Sequence, residues 1–461
     1  MSYDLCVVGG GPGGYVAAIR AAQLGAKVAL VEKENVGGTC LNWGCIPTKA
    51  LVASTSVLAD MKNAESFGLS ADNVSYDFGK IMARKDAIVA QLVKGIGFLL
   101  KKNNVELFQG TGRLLGPGQV EVSSDGETRV VEAAKVILAT GSEPALIRAL
   151  NYNGNTVITS QEALALTEVP ESLLVIGGGV IGCEFAMIFA ELGTEVTIVE
   201  ALERVLPMVD EEISKRRKMT LKKRKITLHT GKMIEKVEDA DGGIVATLAD
   251  GSEIRAAKAL ISIGRTFNTK GLGLEEAGVE LGQRGEILVD DFLATNLDGV
   301  YAIGDVTNKV QLAHVASAQG IVCVENLFGK KDAPKAMDYR VVPSCIFTSP
   351  EIATVGITEA EAEAKGLEVN VGKFPFQALG KAACIGHTDG FVKIVADKST
   401  DKVLGVHIMG PHATDLIAEG ALAIQMGVTV GELAATIHAH PTLAESLMEA
   451  AEAVHGLSVH S

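Results

Sequence analysis

No apolar run in this 461-residue chain reaches the ~18 residues of a membrane-spanning helix; the best candidate, after Ser172, is interrupted by Glu184. Positive charge is also in deficit. Lys and Arg number 42 against 56 Asp and Glu, a formal net charge of −14. That excludes the basic footprint expected of a nucleic-acid binder. With the start reading MSYDLCVVGGG, no signal or transit peptide is expected ahead of the first strand. The expectation is a soluble, cytoplasmic protein without membrane or nucleic-acid partners. Aromatics are scarce at 4%, whereas glycine, with 51 residues, makes up about 11% of the chain against the usual ~7%. No Gly-X-Y period accompanies the excess, so it points to tight turns and close approach of backbone to ligand. With 47% hydrophobic and 21% charged residues, wholesale disorder is excluded. The length suggests about three domains.

A disulfide framework is missing too. Seven cysteines in a chain of this size, with no secretion signal, do not form one. Cys6, Cys183, Cys323, Cys345 and Cys384 stand in apolar surroundings and are expected to be small buried hydrophobes. Cys40 and Cys45, close together in a glycine-rich stretch, are different.

What the chain does contain is a repeat. LCVVGGGPGGYVAAIRAAQLGAKVALVE (Leu5–Glu32) and LLVIGGGVIGCEFAMIFAELGTEVTIVE (Leu173–Glu200) align without a gap. Each runs from an apolar strand through G-x-G-x-x-G (Gly9, Gly11, Gly14; Gly177, Gly179, Gly182) into an alanine-rich helix, a Leu-Gly stop and a second strand. Each ends in an acid, Glu32 or Glu200, 23 residues after the first glycine. One such glycine pattern is weak; strand, glycines, helix, strand and acid twice at identical spacing is strong. The glycines let the backbone approach a pyrophosphate seated on the helix N-terminus. The acid accepts hydrogen bonds from a ribose 2′-hydroxyl and repels a 2′-phosphate. Two dinucleotide sites are therefore expected, neither of them for NADP.

Between the repeats, Val120–Ala139 and Lys232–Ile263 alternate apolar and polar residues around Asp-Gly turns, as β-meanders do. Each meander leads to a strand followed by a glycine, Gly141 in VILATGSEP and Gly264 in ALISIGRTFN. A third strand, in TNLDGVYAIGDV, ends in Gly304-Asp305. After about Tyr339 the pattern becomes α+β, with strands at Phe391–Val395 and Val403–Met409 and a helix around Glu445–Val454. The fold expected is α/β: two Rossmann-like dinucleotide-binding domains, at 1–145 and 146–270, a central segment, 271–338, returning to the first, and a C-terminal α+β domain, 339–461. The basic run KRRKMTLKKRK (Lys215–Lys225) follows Asp210, Glu211 and Glu212. Acids ahead of bases suit a helix dipole, so this segment reads as a solvated helix face.

The stretch GGTCLNWGCIPTK (Gly37–Lys49) directly follows the first repeat. Its cysteines are spaced C-x4-C with no second Cys/His pair nearby, which disfavours zinc; no metal is expected. A redox disulfide is the better reading. In a regular helix residues i and i+5 lie about 8.7 Å apart at Cα, whereas a disulfide needs less than about 7 Å. The backbone between Cys40 and Cys45 must leave regular helix, and Gly44 gives it the freedom. Pro47 suits the first turn of a following helix, which places Cys45 near an N-terminus that stabilises a thiolate. Lys49 falls on the same face as Cys45.

In this order, GGGPGGYVAA, GGTCLNWGCIPTK, ATGSEP, GGGVIGCE, SIGRTFNT, YAIGDV and HAHPTLAE resemble the pyridine nucleotide–disulfide oxidoreductase family across nearly the whole chain. The resemblance implies FAD at the first site (Gly9, Gly11, Gly14, Glu32, Gly141, Gly304), with Asp305 on its ribityl chain and Lys49 beside the reactive flavin nitrogen. It implies NAD at the second site (Gly177, Gly179, Gly182, Glu200, Gly264), with Glu184 paired to Lys49 beneath the nicotinamide. Cys45 would face the flavin, Cys40 would exchange with substrate, and His440, oriented by Glu445, would be the acid–base residue. Within the family, the branch that oxidises dihydrolipoyl groups of 2-oxo-acid dehydrogenase or glycine-cleavage complexes is nearest. It implies a C-terminal dimerisation domain, a homodimer whose sites are shared between chains, and lipoyl-bearing proteins as partners. Another NAD-linked flavoprotein disulfide reductase is the alternative.

Other branches fit less well. Glutathione reductase would favor NADP and basic residues where Glu200 stands. Mercuric reductase would carry a C-terminal cysteine pair, whereas the last cysteine here is Cys384. A soluble transhydrogenase would lack the redox pair, and a purely structural subunit would not need it. Three segments depart from the family pattern: LAHVASAQG (Leu312–Gly320), which lacks a Lys and acids; Phe347, where Tyr is frequent; and QALGKAA (Gln377–Ala383), which lacks an Arg. The redox core is untouched by them.

Overall fold

The computed structural model describes residues 2–330 and 333–460. They form two compact units, 1–51 with 79–145 and 264–338, and 52–78 with 146–263 and 339–461.

In the first unit the strands Tyr3–Val8 and Val28–Glu32 are apolar on nearly every residue, because both faces of a parallel sheet are covered. They pair in register, Leu5 opposite Val28, and the strand Glu106–Gln109 extends the edge. The twelve-residue strand Glu127–Leu138 joins two kinds of sheet. Its first half closes an antiparallel meander with Thr111–Gly116 and Gln119–Ser124; its second half lies parallel to Tyr3–Val8. The short strand Val300–Ala302 pairs on its other side, which brings Gly304 to the same end of the sheet as the first glycine turn. Helix Pro12–Gln23 buries Gly13, Gly14, Ala17, Ala18 and Ala21. It packs closely on helix Ala313–Phe328, where a Cβ at Gly320 would lie 2.7 Å from the Gly13 carbonyl.

The second unit opens with the second repeat. Strands Thr227–Thr230, Glu195–Glu200, Ser172–Ile176, Lys258–Ile261 and Val157–Ile158 lie parallel in that order. A three-stranded meander, Ile234–Ala240, Gly243–Leu248 and Glu253–Ala256, stands beside them. Residues 339–461 add an antiparallel sheet in the order Ser344–Ile346, Glu351–Gly356, Val403–Gly410, Phe391–Asp397, Val369–Pro375. Helix Glu445–Val454 packs on the last strand so tightly that a Cβ at Gly372 would come within 2.2 Å of the Ala450 carbonyl. Among the described residues no helix is long and apolar enough to cross a membrane.

Two expectations are corrected. The basic run does not form a uniformly solvated face. Helix Glu211–Lys223 does start as expected, with Asp210 capping the Glu212 N–H at 3.0 Å and Glu211 pairing with Lys215 at 2.8 Å. Yet Arg217 is fully buried and Arg216 pairs with Asp389 at 2.9 Å, because the C-terminal segment packs on that side of the helix. Of the five cysteines expected to be buried, Cys6, Cys183 and Cys323 are; Cys345 is half-buried and Cys384 is exposed. Cys384 ends the short helix Gly380–Cys384, which buries Ala382 instead.

Candidate active site

The two glycine turns are built alike, residue for residue. Gly9 donates to the Val31 carbonyl and Gly177 to the Val199 carbonyl, both at 2.8 Å. Both have positive φ, 104° and 106°, where a side chain would be strained. A Cβ on Gly14 would sit 1.8 Å from the Gly9 carbonyl, and one on Gly182 2.0 Å from the Gly177 carbonyl. Here glycine permits close packing of turn and helix. Gly11 and Gly179 instead cap their helices with extended backbone, and a Cβ there would meet almost nothing. These are the open positions over each helix N-terminus. Gly14→Ala should therefore lower stability by about 1–3 kcal/mol, readable as a fall in Tm, whereas Gly11→Ala should leave Tm nearly unchanged while weakening dinucleotide binding.

Each acid is already half engaged. Glu32 accepts from Gly10 N–H at 2.6 Å and from Glu34 N–H at 2.8 Å; Glu200 accepts from Gly178 N–H at 2.6 Å and from Leu202 N–H at 2.8 Å. One hydrogen bond per oxygen leaves acceptor capacity on both carboxylates, which fits the two hydroxyls of an adenosine ribose. Arg204, the base nearest Glu200 in the following loop, is bonded to the Pro207 carbonyl at 2.9 Å. The residues present thus fit two adenine dinucleotides without a 2′-phosphate.

The thiols lie against the first of these cradles. Gly37 N–H donates to the Gly10 carbonyl at 2.7 Å, and Gly38 approaches Gly11 so closely that a Cβ would be 2.7 Å from its Cα. From there helix Gly38–Trp43 carries Cys40 and stops at Gly44 (φ −141°, ψ −112°), and helix Cys45–Lys62 starts at the very next residue. The break falls where the disulfide argument required it. A Cβ at Gly44 would come within 2.7 Å of the Thr39 carbonyl, so the short path between the cysteines needs glycine. Cys40 is half-buried and Cys45 exposed. The Cys40 pKa is pushed far up, first by its hydrogen bond to Cys45 and then by burial, against a downward pull from Lys49. Cys45, as first residue of an eighteen-residue helix, has the unpaired N–H groups of the first turn beside it.

Asp305 follows Gly304, whose φ of 78° and buried hydrogen bond to Gln319 Oε1 (2.6 Å) set the turn. Gln319 belongs to the departing segment Leu312–Gly320, and its neutral amide suffices for this contact. Asp305 Oδ2 accepts from the Ser142 hydroxyl at 2.5 Å and lies 3.8 Å from Arg265 Nε. Arg265 also donates to the Ser142 hydroxyl and carbonyl, at 2.7 and 2.6 Å. Burial lowers its pKa, opposed by Asp305 and Cys45. Ser142 and Arg265 were missed in the sequence, although each directly follows a singled-out glycine, Gly141 or Gly264. Their segments, Ser142–Pro144 and Arg265–Phe267, pair antiparallel, so Gly264 belongs with the Gly141 segment of the first unit.

In the second unit Glu184 is buried on helix Val180–Glu191, and its Oε1 accepts from the Phe347 N–H at 2.9 Å. The C-terminal histidines differ sharply. The His438 ring is buried, with Nε2 2.7 Å from Glu419 Oε1 and Nδ1 2.8 Å from the Thr436 carbonyl, so both nitrogens are engaged. The His440 side chain is 78% exposed; Nδ1 meets Glu445 Oε1 at 2.8 Å. That leaves Nε2 facing outward. Glu445 is the first residue of its helix, and its other oxygen takes the Thr442 N–H at 2.8 Å. Burial pushes the Glu445 carboxyl up, but the Thr442 N–H and the His440 ring outweigh it and hold it below the usual range.

Comparison with known proteins agrees with this arrangement. Residues 3–320 match the family described as pyridine nucleotide-disulphide oxidoreductase, and residues 342–451 match that family's dimerisation domain. The dihydrolipoyl dehydrogenase of Bacillus subtilis is 45% identical over 99% of this chain and 99% of its own length; that of Thermus scotoductus is 46% identical over 100% and 99%. The crystal structure of LpdA from Mycobacterium tuberculosis superposes with a TM-score of 0.92 at 31% identity, covering 97% of this chain and 99% of that one. The HOCl-induced flavoprotein disulfide reductase RclA of Escherichia coli gives 0.89 at 27%, covering 98% and 99%. With two glycine cradles, an adjacent thiol pair and a matching C-terminal domain, the chain belongs to the pyridine nucleotide–disulphide oxidoreductase family.

Proposed function

We propose that this protein oxidises dihydrolipoyl groups to lipoyl groups and reduces NAD⁺, using FAD and the Cys40–Cys45 pair. The observation that carries the reading is the thiol pair itself: two hydrogen-bonded sulfurs across a helix break, seated on a dinucleotide cradle. In its oxidised form the pair is a disulfide. His440 Nε2 takes the proton of one substrate thiol, and Glu445 stabilises the imidazolium that results. The substrate thiolate attacks the Cys40 sulfur, breaks the disulfide and leaves Cys45 as thiolate. The second substrate thiol then attacks the substrate sulfur of the mixed disulfide; the cyclic product forms, and Cys40 leaves with the proton that this thiol gives up. Substrate has lost two electrons and the cysteine pair has gained them. FAD, when bound, would supply the two-electron acceptor for the reduced cysteine pair and the hydride donor for NAD⁺. Gly9, Gly11, Gly14 and Glu32 would hold its ADP half, with Gly141, Gly304 and Asp305 toward the ribityl chain and Lys49 on the Cys45 helix. Gly177, Gly179, Gly182, Glu184, Glu200 and Gly264 are assigned to NAD.

The domain limits that go with this reading are 1–145 for FAD, 146–270 for NAD, 271–338 for the returning segment and 339–461 for dimerisation. A homodimer is supported by the match to the dimerisation domain, and the names of the relatives support lipoyl-bearing proteins of a multienzyme complex as partners. The cytoplasm is the proposed location. Assaying dihydrolipoamide, glutathione and Hg²⁺ side by side, each with both nicotinamide nucleotides, tests the reading. Turnover confined to dihydrolipoamide with NAD⁺ is expected; preferential turnover of glutathione or Hg²⁺ defeats it.

Nucleotide choice has its own test. The Glu200 carboxylate would repel a 2′-phosphate, and Arg204 is tied to Pro207, so kcat/KM with NADP⁺ should fall on the order of 10²-fold or more below that with NAD⁺. Glu200→Ala should shrink the ratio. It should also lower Tm, because the Gly178 and Leu202 N–H groups lose their acceptor. Comparable efficiency with the two nucleotides in the unmodified protein would refute the assignment.

A further inference from the structure

One buried charge has no place in the chemistry above. Arg217, on helix Glu211–Lys223, is fully buried, and each of its acceptors is neutral. Its Nη2 donates to the Thr348 hydroxyl oxygen and, at 2.6 Å, to the Pro350 carbonyl; Nη1 donates to Thr220 Oγ1 at 3.2 Å. Its Nε has no partner among the described residues. The Thr348 hydroxyl itself donates to the Pro350 carbonyl at 2.9 Å, which closes the turn on itself. Seven residues further, at the helix C-cap, Arg224 donates to Ser349 Oγ at 2.9 Å while pairing with Glu191 at 2.7 Å. An arginine of the helix and the one capping its C-terminus thus hold three consecutive residues of one turn.

Burying a guanidinium without a carboxylate bonded to it is costly, and here burial draws the Arg217 pKa down to about 10, with Asp389 opposing the fall only in part. An apolar side chain of similar volume would fill the space without that cost. What only the guanidinium provides is directional: one nitrogen binding two acceptors of the turn. The residue directly before this turn is Phe347, whose N–H is the donor to Glu184 Oε1. A carboxylate at the end of a long side chain has soft terminal torsions, and a fixed backbone donor selects one orientation.

We propose that Arg217 is a positioning residue for Glu184: by holding Thr348 and Pro350 it fixes the Phe347 N–H that orients the Glu184 carboxylate. Its effect on catalysis rests on the reading above that Glu184 faces the nicotinamide. The basic run is thereby assigned a role as the inner support of the second nucleotide site.

The test compares holoenzyme carrying Arg217→Met, which keeps volume but cannot donate, with Thr348→Val, which removes the hydroxyl oxygen that Arg217 grips. Amide hydrogen exchange at Phe347 should quicken by roughly tenfold or more in Arg217→Met, and less in Thr348→Val. The equilibrium Kd and the KM for NAD⁺ should rise several-fold, while reduction of the enzyme by dithiol without nicotinamide stays within about twofold. In a Glu184→Gln background, Arg217→Met should add nothing to the NAD⁺ defect. Unchanged Phe347 exchange in a folded variant overturns the proposal, as does an equal NAD⁺ defect with Glu184 already replaced. If Arg217→Met does not fold, Thr348→Val supports the same measurements and can overturn the proposal alone. Faster exchange at Phe347 combined with a Glu184→Gln protein that binds NAD⁺ normally leaves Arg217 holding Glu184 and removes Glu184 from the nicotinamide site.

Discussion

A Cys40→Ser chain and a His440→Gln chain, each inactive alone, should regain activity when mixed under conditions of subunit exchange. His440 offers an outward Nε2 and a Glu445-bound Nδ1, so in the proposed mechanism replacing it removes the proton acceptor for the substrate thiol. A loss on the order of 10²–10⁴ in kcat follows for His440→Gln, with little change in NAD⁺ binding. If the proposed homodimer joins Cys40 and Cys45 of one chain with His440 and Glu445 of its partner, each heterodimer carries one intact site and one doubly damaged site. Random exchange then yields roughly a quarter of the unmodified activity, from half the dimers with one working site of two. Demonstrated exchange with no recovery would show that each site is built within one chain. His438→Gln provides the contrast. Its ring is buried between Glu419 and the Thr436 carbonyl, so its replacement should lower Tm far more than kcat.

The two cysteines should separate just as clearly, though by a different measurement. Either Cys→Ser change abolishes dithiol turnover, since exchange needs both sulfurs. Alkylation by iodoacetamide distinguishes them, because only a thiolate reacts. With Cys40→Ser, Cys45 keeps the helix N-terminus and Lys49 and should alkylate rapidly at pH 7. With Cys45→Ser, Cys40 faces a neutral hydroxyl in place of an ionisable sulfur, and burial still raises its pKa. Its alkylation at pH 7 should be slower by an order of magnitude or more, and should accelerate only as the pH rises toward its pKa. The opposite order of rates would exchange the roles of the two sulfurs. Cys183 and Cys323 should stay unreactive in the folded protein, with burial holding each thiol near a pKa of about 12.

Much of the site could be read from contiguous residues. Gly9 to Glu32 and Gly177 to Glu200 encode strand, turn, helix and strand in one stretch each. Their chemistry depends on local backbone conformation, which such a stretch carries. The same holds for Cys40, Gly44 and Cys45: the reach of a disulfide and the rise of a helix already required a break, and the structure has it at Gly44. His440 could be picked out by Glu445 five residues on, but the burial of the His438 ring could not, because its partner Glu419 lies 19 residues away on another helix.

The sequence by itself determined the local devices of this protein: two glycine turns with their acids, a split helix carrying two thiols, and a histidine five residues ahead of a glutamate. Each depends on backbone geometry over a few turns of chain, where residue type and spacing suffice. Only the tertiary structure decided which polar groups lose their water. It turned Arg217 of an apparently solvated run inward onto Thr348 and Pro350, and left Cys384 exposed. It also gathered Ser142, Arg265 and Asp305 into one cluster from positions up to 163 residues apart. Burial is a property of the element that covers a face. A helix such as Glu211–Lys223 carries the same charges whether water or the Thr348–Pro350 turn lies against it.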